Sequence, residues 1–258
     1  MNKQLLKSHS DNVSGHEYTV EFWAGEVAEV VLVDYPANAK DTLARTTRGY
    51  TGRYDADFMS AEEMQSFYSD LKNTKLGTPA EMLNFVFLVR DVPRSFTHQM
   101  VRTRVGASYV QESTRFIGAK DVYKVLVPKT CHNGNNILDP YVYGTLHAIE
   151  GYEAMLKLDG VASQDARNLL PHSLLTHLYV SYSLRALMGV YDVRKCCQAE
   201  PSTWLPVVTQ MKRLIMATCG EEIAGFLTAP IDRGQPCGFN ASFDRVCTWK
   251  NRPAEEHE

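Results

Sequence analysis

The sequence predicts an α+β protein in which a modest, mainly antiparallel sheet packs with several long helices. Two observations support this class. Short β-branched and aromatic runs are interspersed with long segments whose apolar residues recur at helical spacing. The chain has 258 residues, 44% of them hydrophobic, which is enough for one sizeable core. We therefore expect a single domain over residues 1–258.

The strands are predicted from runs rich in β-branched and aromatic residues, which fit a pleated, half-buried surface. Phe85 and Phe87, for example, fall on one face of such a run. Residues 108–116 are expected to be extended. The predicted strands cover residues 27–34, 82–89 and 121–127.

The helices are predicted from capping residues and apolar spacing. A Ser-x-x-Glu capping box opens one helix at residue 60. Pro93 suits the first turn of another, which would carry Gln99 and Arg102 on one face and end near Gly106. The predicted helices cover residues 60–71, 91–106, 139–160, 163–169, 173–193, 203–219 and 221–227.

Charge and composition argue against several classes of protein. The net charge is −3, without the basic surplus of a general nucleic-acid-binding protein. The N-terminus lacks the apolar region of a signal peptide, and no apolar run approaches the length of a membrane span. The six cysteines show neither a disulfide framework nor zinc-ligand spacing. We expect a cytoplasmic protein that binds no metal, nucleic acid or membrane.

Familiar nucleotide-binding and nucleophile motifs are missing from the sequence. It contains no GxGxxG, no P-loop and no GxSxG. Neither Cys131 nor Cys237 lies in the sequence motif of a catalytic nucleophile, so a structural or incidental role is favoured for both. A bound dinucleotide would therefore not lie on a Rossmann-type fold.

One short segment gathers fixed positive charges with hydroxyl and amide groups. Arg102, Arg104 and Arg115 suit a bound phosphate, because guanidinium groups donate charge-assisted hydrogen bonds. In a slightly acidic chain this cluster indicates a small anionic ligand, with surface or interface ion pairs as the alternative. The segment also contains Gln99, Ser108, Gln111, Ser113 and Thr114.

The order of these residues resembles the signature of flavin-dependent thymidylate synthases. That family has Arg-His-Arg followed after seven or eight residues by Ser, and here Arg102, Thr103 and Arg104 precede Ser113. The resemblance covers about residues 25–230 and includes residues 78–87 (TPAEMLNFVF) and 166–171 (ARNLLP). Farther along, Thr176, Arg185 and Arg194 fall at the family's spacing.

The resemblance implies a reaction and its partners. Members of the family methylate dUMP reductively to dTMP, with methylenetetrahydrofolate as carbon donor and reduced FAD as hydride source. A nicotinamide nucleotide, taken here as NADPH, reduces the flavin again. The family's usual functional form is a homotetramer, and its chemistry requires no enzyme nucleophile.

The resemblance also implies roles for individual residues. Arg194 would polarise the pyrimidine base and Ser113 would orient the substrate as a hydrogen-bond donor, so these are the expected catalytic residues. The expected nucleotide-binding residues are Gln99, Arg102, Gln111, Ser113, Thr114, Arg115, Arg167 and Arg194. The expected flavin-binding residues are Arg102, Thr103, Arg104, Gln111, Asn84, Ser183, Gly189 and Gln198.

The flavin side departs from the family pattern. The middle His of the hallmark is Thr103, the His after Glu81 is Met82, and a later His is Gln198. Thr and Gln still donate hydrogen bonds, whereas Met does not. These changes leave two alternatives open: hydroxymethylation of dUMP or dCMP, and nucleotide binding without catalysis.

Overall fold

The computed structural model describes residues 3–50, 52–54, 60–73, 77–132, 138–195 and 202–234. In chain order the strands are β1 (Gln4–Val13), β2 (His16–Ala24), β3 (Glu29–Asp34), β4 (Asn84–Pro93), β5 (Ala107–Gln111), β6 (Val122–Leu126) and β7 (Leu175–Ser183). The helices are α1 (Ala39–Tyr50), α2 (Ala61–Asn73), α3 (Arg94–Met100), α4 (Thr114–Ile117), α5 (Lys129–His132), α6 (Leu138–Leu156), α7 (Ser163–Ala166), α8 (Leu184–Arg194), α9 (Trp204–Cys219) and α10 (Glu221–Ala224). Short 3-10 turns occupy Thr78–Met82, Arg167–Leu169 and Pro230–Arg233.

The strands form two sheets. One has the order β1-β2-β6, with β1 antiparallel and β6 parallel to β2. The other has the order β3-β4-β7-β5. The β1–β2 hairpin turns at Ser14 and Gly15, which both have positive φ, as a tight hairpin turn requires. The predicted α+β class with mainly antiparallel sheets is confirmed.

The chain forms two compact units, each assembled from separate segments. The first unit comprises residues 1–29, 89–102 and 110–178, and the second comprises residues 30–88, 103–109 and 179–258. Within the described part of the chain, no helix is both long and apolar enough to cross a lipid bilayer.

The core of the first unit lies between a sheet face and a helix. Alternate residues of β2 are buried, so Val20 and Phe22 share one face of the strand. They pack with Val125 of β6 and with Ile149 and Tyr152 of α6. Each such fully buried apolar side chain contributes about 1.5–3 kcal/mol to folding.

A carboxyl group is buried in this apolar core. Glu153 of α6 has no exposed surface, and its carboxylate accepts a hydrogen bond from the hydroxyl of Tyr123. Burial is the largest cause that raises the pKa of Tyr123, and the hydrogen bond to Glu153 raises it further. The hydroxyl therefore stays protonated and can donate. The same hydroxyl accepts a hydrogen bond from the backbone N–H of Lys120 at 3.1 Å.

The second unit has a mainly helical core. Helix α9 contacts α8 and α10, and its residues Val207, Met211 and Ile215 are fully buried at helical spacing. The side chain of Gln210 accepts a hydrogen bond from the backbone N–H of Val30 at 3.0 Å, which ties the start of β3 to α9.

Two predicted helices are wrong in part. Residues 173–193 were expected to be one helix, but the chain forms strand β7 up to Ser183 and then helix α8. The helix expected over 91–106 is only α3, because the chain leaves the helix after Met100. Arg102 and Arg104 therefore follow a helix instead of lying on one. The β1–β2 hairpin and α1 had no counterpart in the sequence prediction.

The Tyr123 hydroxyl can be tested by stability measurements. Tyr123→Phe leaves the buried Glu153 carboxyl without this donor, so we expect a loss of about 1–3 kcal/mol in the free energy of unfolding. Tyr141→Phe is the matched control: its hydroxyl donates to the carbonyl of Leu126 at 2.9 Å, and its loss is expected to cost about 0.5–1.5 kcal/mol. We expect the larger loss in Tyr123→Phe. Urea unfolding at pH 7 measures both, and a loss in Tyr123→Phe no larger than that in Tyr141→Phe would contradict a particular role for the buried Glu153.

Candidate functional site

A cleft of about 510 Å³ lies in the second unit. Its volume is within the roughly 300–1,000 Å³ typical of small-molecule sites. Five residues that the family resemblance assigned to nucleotide or flavin lie in its wall, together with the ion-paired Glu81 and Arg185. The five are Asn84, Thr103, Ser183, Gly189 and Arg194.

The cleft is built around the junction between β7 and α8. Ser183 is the N-cap of α8, and its hydroxyl oxygen accepts a hydrogen bond from the backbone N–H of Ala186 at 3.2 Å. The backbone N–H of Ser183 donates to the carbonyl of Gly106 at 2.8 Å, and that of Leu184 donates to the carbonyl of Leu83 at 2.7 Å. These bonds fix the segments that carry Asn84 and Thr103.

Gly106 is required where the chain passes closest to Ser183. Its φ of +67° lies in the left-handed region, which favours glycine. A Cβ atom at this position would lie 2.4 Å from the hydroxyl oxygen of Ser183. Any side chain at residue 106 would therefore displace the helix cap.

Thr103 is held through its backbone. The hydroxyl of Tyr109 donates to the Thr103 carbonyl at 2.8 Å and is hydrogen-bonded to the hydroxyl of Tyr182 at 3.3 Å. Burial raises the pKa of Tyr182 well above its ordinary value, while the nearby charge of Arg194 lowers it. The backbone contact leaves the side chain of residue 103 free to vary, which accounts for a Thr at this position without loss of the loop.

Two arginines place positive charge in the cleft. Arg194, the last residue of α8, is half-buried, and its guanidinium carbon lies 4.4 Å from the ring centroid of Trp204. Arg185 is ion-paired with Glu81 and lies against Gly77, where a Cβ atom would be 2.6 Å from its Nε. The sequence contains no signal that singles out Trp204 as a partner of Arg194.

The residues of the cleft fit a flavin. Asn84 and Thr103 supply amide and hydroxyl hydrogen-bond donors, and Arg194 supplies a cation, while Val105 and Val193 add exposed apolar surface. At Gly189 a Cβ atom would have nothing within 4 Å, so the wall is open there. Polar groups at the edge of an apolar wall are what a flat, polar-rimmed heterocycle requires.

The first unit contains the C-terminal part of the predicted phosphate-binding segment, from residue 110 onward. Ser113 is the N-cap of α4, and its hydroxyl oxygen accepts from the backbone N–H of Arg115 at 3.4 Å. Thr114 is buried at the first position of that helix, whereas Arg115 is exposed. The amide of Gln111 donates to the hydroxyl of Thr97 at 3.0 Å.

Arg94 belongs with this segment, although it was not among the predicted site residues. One of its guanidinium nitrogens donates to the carbonyl of Glu112 at 2.9 Å. Its Nε is buried and meets no hydrogen-bond partner in the part of the chain that the structure describes. Burial lowers the pKa of Arg94, the charge of Glu112 raises it, and the more weakly felt charge of Arg167 lowers it. An unsatisfied donor beside a second cation favours an anion at this place.

The other predicted residues are placed as follows. Gln99 lies in α3 and is half-buried, and Arg167 begins a 3-10 turn and is also half-buried. Arg102 and Arg104 are exposed in the turn after α3. Gln198 lies outside the described residues. Within those residues, no group of three or more His, Cys, Asp or Glu side chains is arranged to hold a metal ion.

Known proteins with similar sequences were found for most of the chain. Residues 31–218 match the family model described as thymidylate synthase complementing protein. A flavin-dependent thymidylate synthase of Nitratidesulfovibrio vulgaris is 28% identical over 145 residues, which are 54% of this chain and 59% of the relative. One of Geobacter sulfurreducens is 26% identical over 194 residues, which are 73% of this chain and 82% of the relative. The chain therefore belongs to the thymidylate synthase complementing protein family.

The fold is also shared with a solved structure. A UMP/dUMP methylase from Streptomyces cacaoi, bound with 5-Br dUMP, has a TM-score of 0.63 at 20% sequence identity. The match covers 87% of this chain and 99% of that one. The predicted membership of the flavin-dependent thymidylate synthase family is confirmed. The β1–β2 hairpin precedes the part of the chain that the family model matches.

The acid sensitivity of the first unit depends in part on Glu112. Burial raises the pKa of this carboxyl, but the charge of Lys120 and hydrogen bonds from Lys120 and Thr176 together hold it below its ordinary value of 4.5. The stabilisation is therefore complete above pH 4.5 and is lost as the pH falls through the lowered pKa.

We therefore expect Glu112→Gln to be less stable than the wild type at pH 7 and to lose less stability on acidification. Free energies of unfolding between about pH 3 and pH 7 measure the difference. Glu29→Gln is the control, because Glu29 is an exposed residue of the same unit paired with Arg90 at 3.4 Å. Parallel pH profiles for Glu112→Gln and the wild type would contradict the assignment.

Proposed function

We propose that this protein is a flavin-dependent thymidylate synthase that converts dUMP to dTMP with methylenetetrahydrofolate. One observation carries the proposal: Asn84, Thr103, Ser183, Gly189 and Arg194, assigned through distant motifs, line one cleft. The names of the curated relatives support the same activity. No contact among the described residues specifically favours hydroxymethylation or nucleotide binding without catalysis.

FAD is the proposed cofactor, and when bound it supplies the hydride that completes the methyl group. Thr103 and Asn84 would donate hydrogen bonds to it, and Arg102 and Arg104 would neutralise its phosphates. Gln111, Ser183, Gly189 and Gln198 complete the proposed flavin-binding set. Ser183 would contribute mainly by shaping the wall, because its hydroxyl oxygen already caps α8.

The nucleotide phosphate would be bound by the cationic segment of the first unit. Gln99, Ser113, Thr114, Arg115 and Arg167 are the proposed donors. We add Arg94, since its buried Nε has no hydrogen-bond partner among the described residues.

Arg194 and Ser113 would act on the substrate in different ways. A guanidinium beside the pyrimidine carbonyls stabilises the negative charge that develops when C5 becomes nucleophilic, so Arg194 is the proposed catalytic cation. The hydroxyl oxygen of Ser113 accepts from the Arg115 N–H, which leaves its proton to be donated to the substrate. Ser113 would therefore orient the nucleotide as a donor.

We further propose that residues 1–258 act as one catalytic domain and assemble as a homotetramer in the cytoplasm. NADPH is the proposed reductant of the flavin. We propose no nucleic-acid partner, because the chain carries a net charge of −3.

Product analysis tests the activity directly. Purified protein is incubated with FAD, NADPH, methylenetetrahydrofolate and either dUMP or dCMP. The molecular masses of the nucleotide products are then measured by mass spectrometry. We expect the mass of dTMP from dUMP alone. A 5-hydroxymethyl nucleotide would replace the proposal by the hydroxymethylase alternative, and unchanged nucleotides with no flavin uptake would favour the non-catalytic one.

Removal of the catalytic cation should slow the reaction strongly. We expect Arg194→Ala to raise the barrier by about 2–4 kcal/mol, which is roughly a 30- to 1,000-fold lower kcat. Arg213→Ala, which removes an exposed arginine of α9 in the same unit, should leave kcat unchanged. Initial rates of dTMP formation measure both. A near-normal rate in Arg194→Ala refutes its assigned role.

Restoring the family's His tests the departure at residue 103. We expect Thr103→His to bind FAD more tightly, because the loop is held through the backbone carbonyl and the imidazole adds a donor to the cleft. FAD fluorescence titration measures the affinity, and Thr103→Val serves as the control that removes the hydroxyl donor. Unchanged or weaker FAD binding in Thr103→His would mean that the other residues of the cleft are adapted to Thr at position 103.

A further inference from the structure

We propose that Trp204 is a positioning residue that holds the guanidinium of Arg194 in its working orientation in the cleft. This inference rests on the proposed function of Arg194. Arg194 is the last residue of α8, and Trp204 is the first residue of α9. The ring of Trp204 lies beside the end of α8. The two residues are ten positions apart in the chain and meet where the end of α8 lies against the start of α9.

The geometry of the contact is that of a cation on an aromatic face. The guanidinium carbon of Arg194 lies 4.4 Å from the ring centroid, within the roughly 6 Å over which a cation is attracted to a ring face. Trp204 is 1% exposed, so the ring itself is fixed by the core. The ring is buried but the guanidinium is only half-buried, so the attraction lies between that of an exposed pair and that of a fully desolvated one.

The backbone of Arg194 is fixed separately by ion pairs of its neighbours. Lys195 pairs with Asp232 at 2.5 Å, and Asp192 pairs with Arg233 at 3.2 Å. The two partners, Asp232 and Arg233, both belong to the 3-10 turn Pro230–Arg233. This turn is therefore ion-paired to the last turn of α8 at two positions. This pairing sets where the Arg194 side chain begins, and Trp204 sets where its charged end lies.

Such positioning has a direct kinetic consequence. An arginine side chain has many rotamers, and a catalytic group that must be ordered in the transition state slows the chemical step. A ring that orders the guanidinium beforehand should therefore raise kcat more than it lowers the KM for dUMP. If Trp204 only filled the core, its replacement would lower stability without lowering kcat more than it changes KM.

The first experiment compares ring removal with ring replacement in the full-length enzyme. We expect Trp204→Leu to lower kcat about tenfold with less than a threefold change in the KM for dUMP, and Trp204→Phe to restore most of the rate. Phe226→Leu is the matched control, because Phe226 is a buried ring of the same unit with Lys72 5.2 Å from its centroid. It should lose stability in urea while keeping its kcat.

Two results would overturn the proposal. One is a Trp204→Leu enzyme whose kcat stays within twofold of the wild type. The other is an equal fall in kcat in Trp204→Leu and Phe226→Leu, which would make the effect a general consequence of core damage.

The second experiment reads the contact without turnover. The chain has three tryptophans, so Trp23→Phe with Trp249→Phe leaves Trp204 as the only tryptophan, whose emission is excited selectively over that of tyrosine. In that background, Arg194→Met should shift or brighten the emission, and Arg213→Met on α9 should not. Unchanged emission in Arg194→Met would refute the contact. If the wild type made no dTMP, the proposed function would fail, whereas the emission of these variants would still decide whether Trp204 holds Arg194.

Discussion

Two backbone hydrogen bonds and one helix cap at Ser183 join the segments from which the cleft is made. The N–H of Ser183 binds the loop before β5, the N–H of Leu184 binds the chain before β4, and the Ser183 hydroxyl caps α8. Thr103, Asn84 and Arg194 are thus carried by segments that meet at one point. A shift at that point would move the segments that carry a hydroxyl donor, an amide and a cation, so the geometry of the cleft depends on this junction.

The same junction explains why the chain from 173 to 193 was predicted wrongly. Apolar residues are dense on both sides of Ser183, and a short apolar run fits helix and strand equally well. The alternation of buried and exposed residues from Thr176 to Val180 fits a strand, and Ser183 itself is the start signal of the helix. Pairing with β4 and β5 decides the matter, and such pairing is set by tertiary structure, which local propensity does not encode.

The site was predictable to the extent that residues form ordered motifs. Arg102, Thr103, Arg104 and Ser113 are close in sequence, and their order identified the family before any contact was known. Arg94 and Trp204 were missed as members of the site for a different reason. Their importance comes from a buried nitrogen that has no partner among the described residues and from a ring face turned to a cation. Both features arise from packing in the folded chain.

Two glycines of this cleft differ in what they allow. At Gly106 a Cβ atom would strike the Ser183 hydroxyl, whereas at Gly189 it would meet open space in a helix. Glycine weakens a helix by about 1 kcal/mol relative to alanine, so residue 189 carries a cost that the backbone does not demand. The wall at residue 189 can consequently acquire a new side chain without disturbing the scaffold, and ligand preference can change there while residue 106 has to remain glycine.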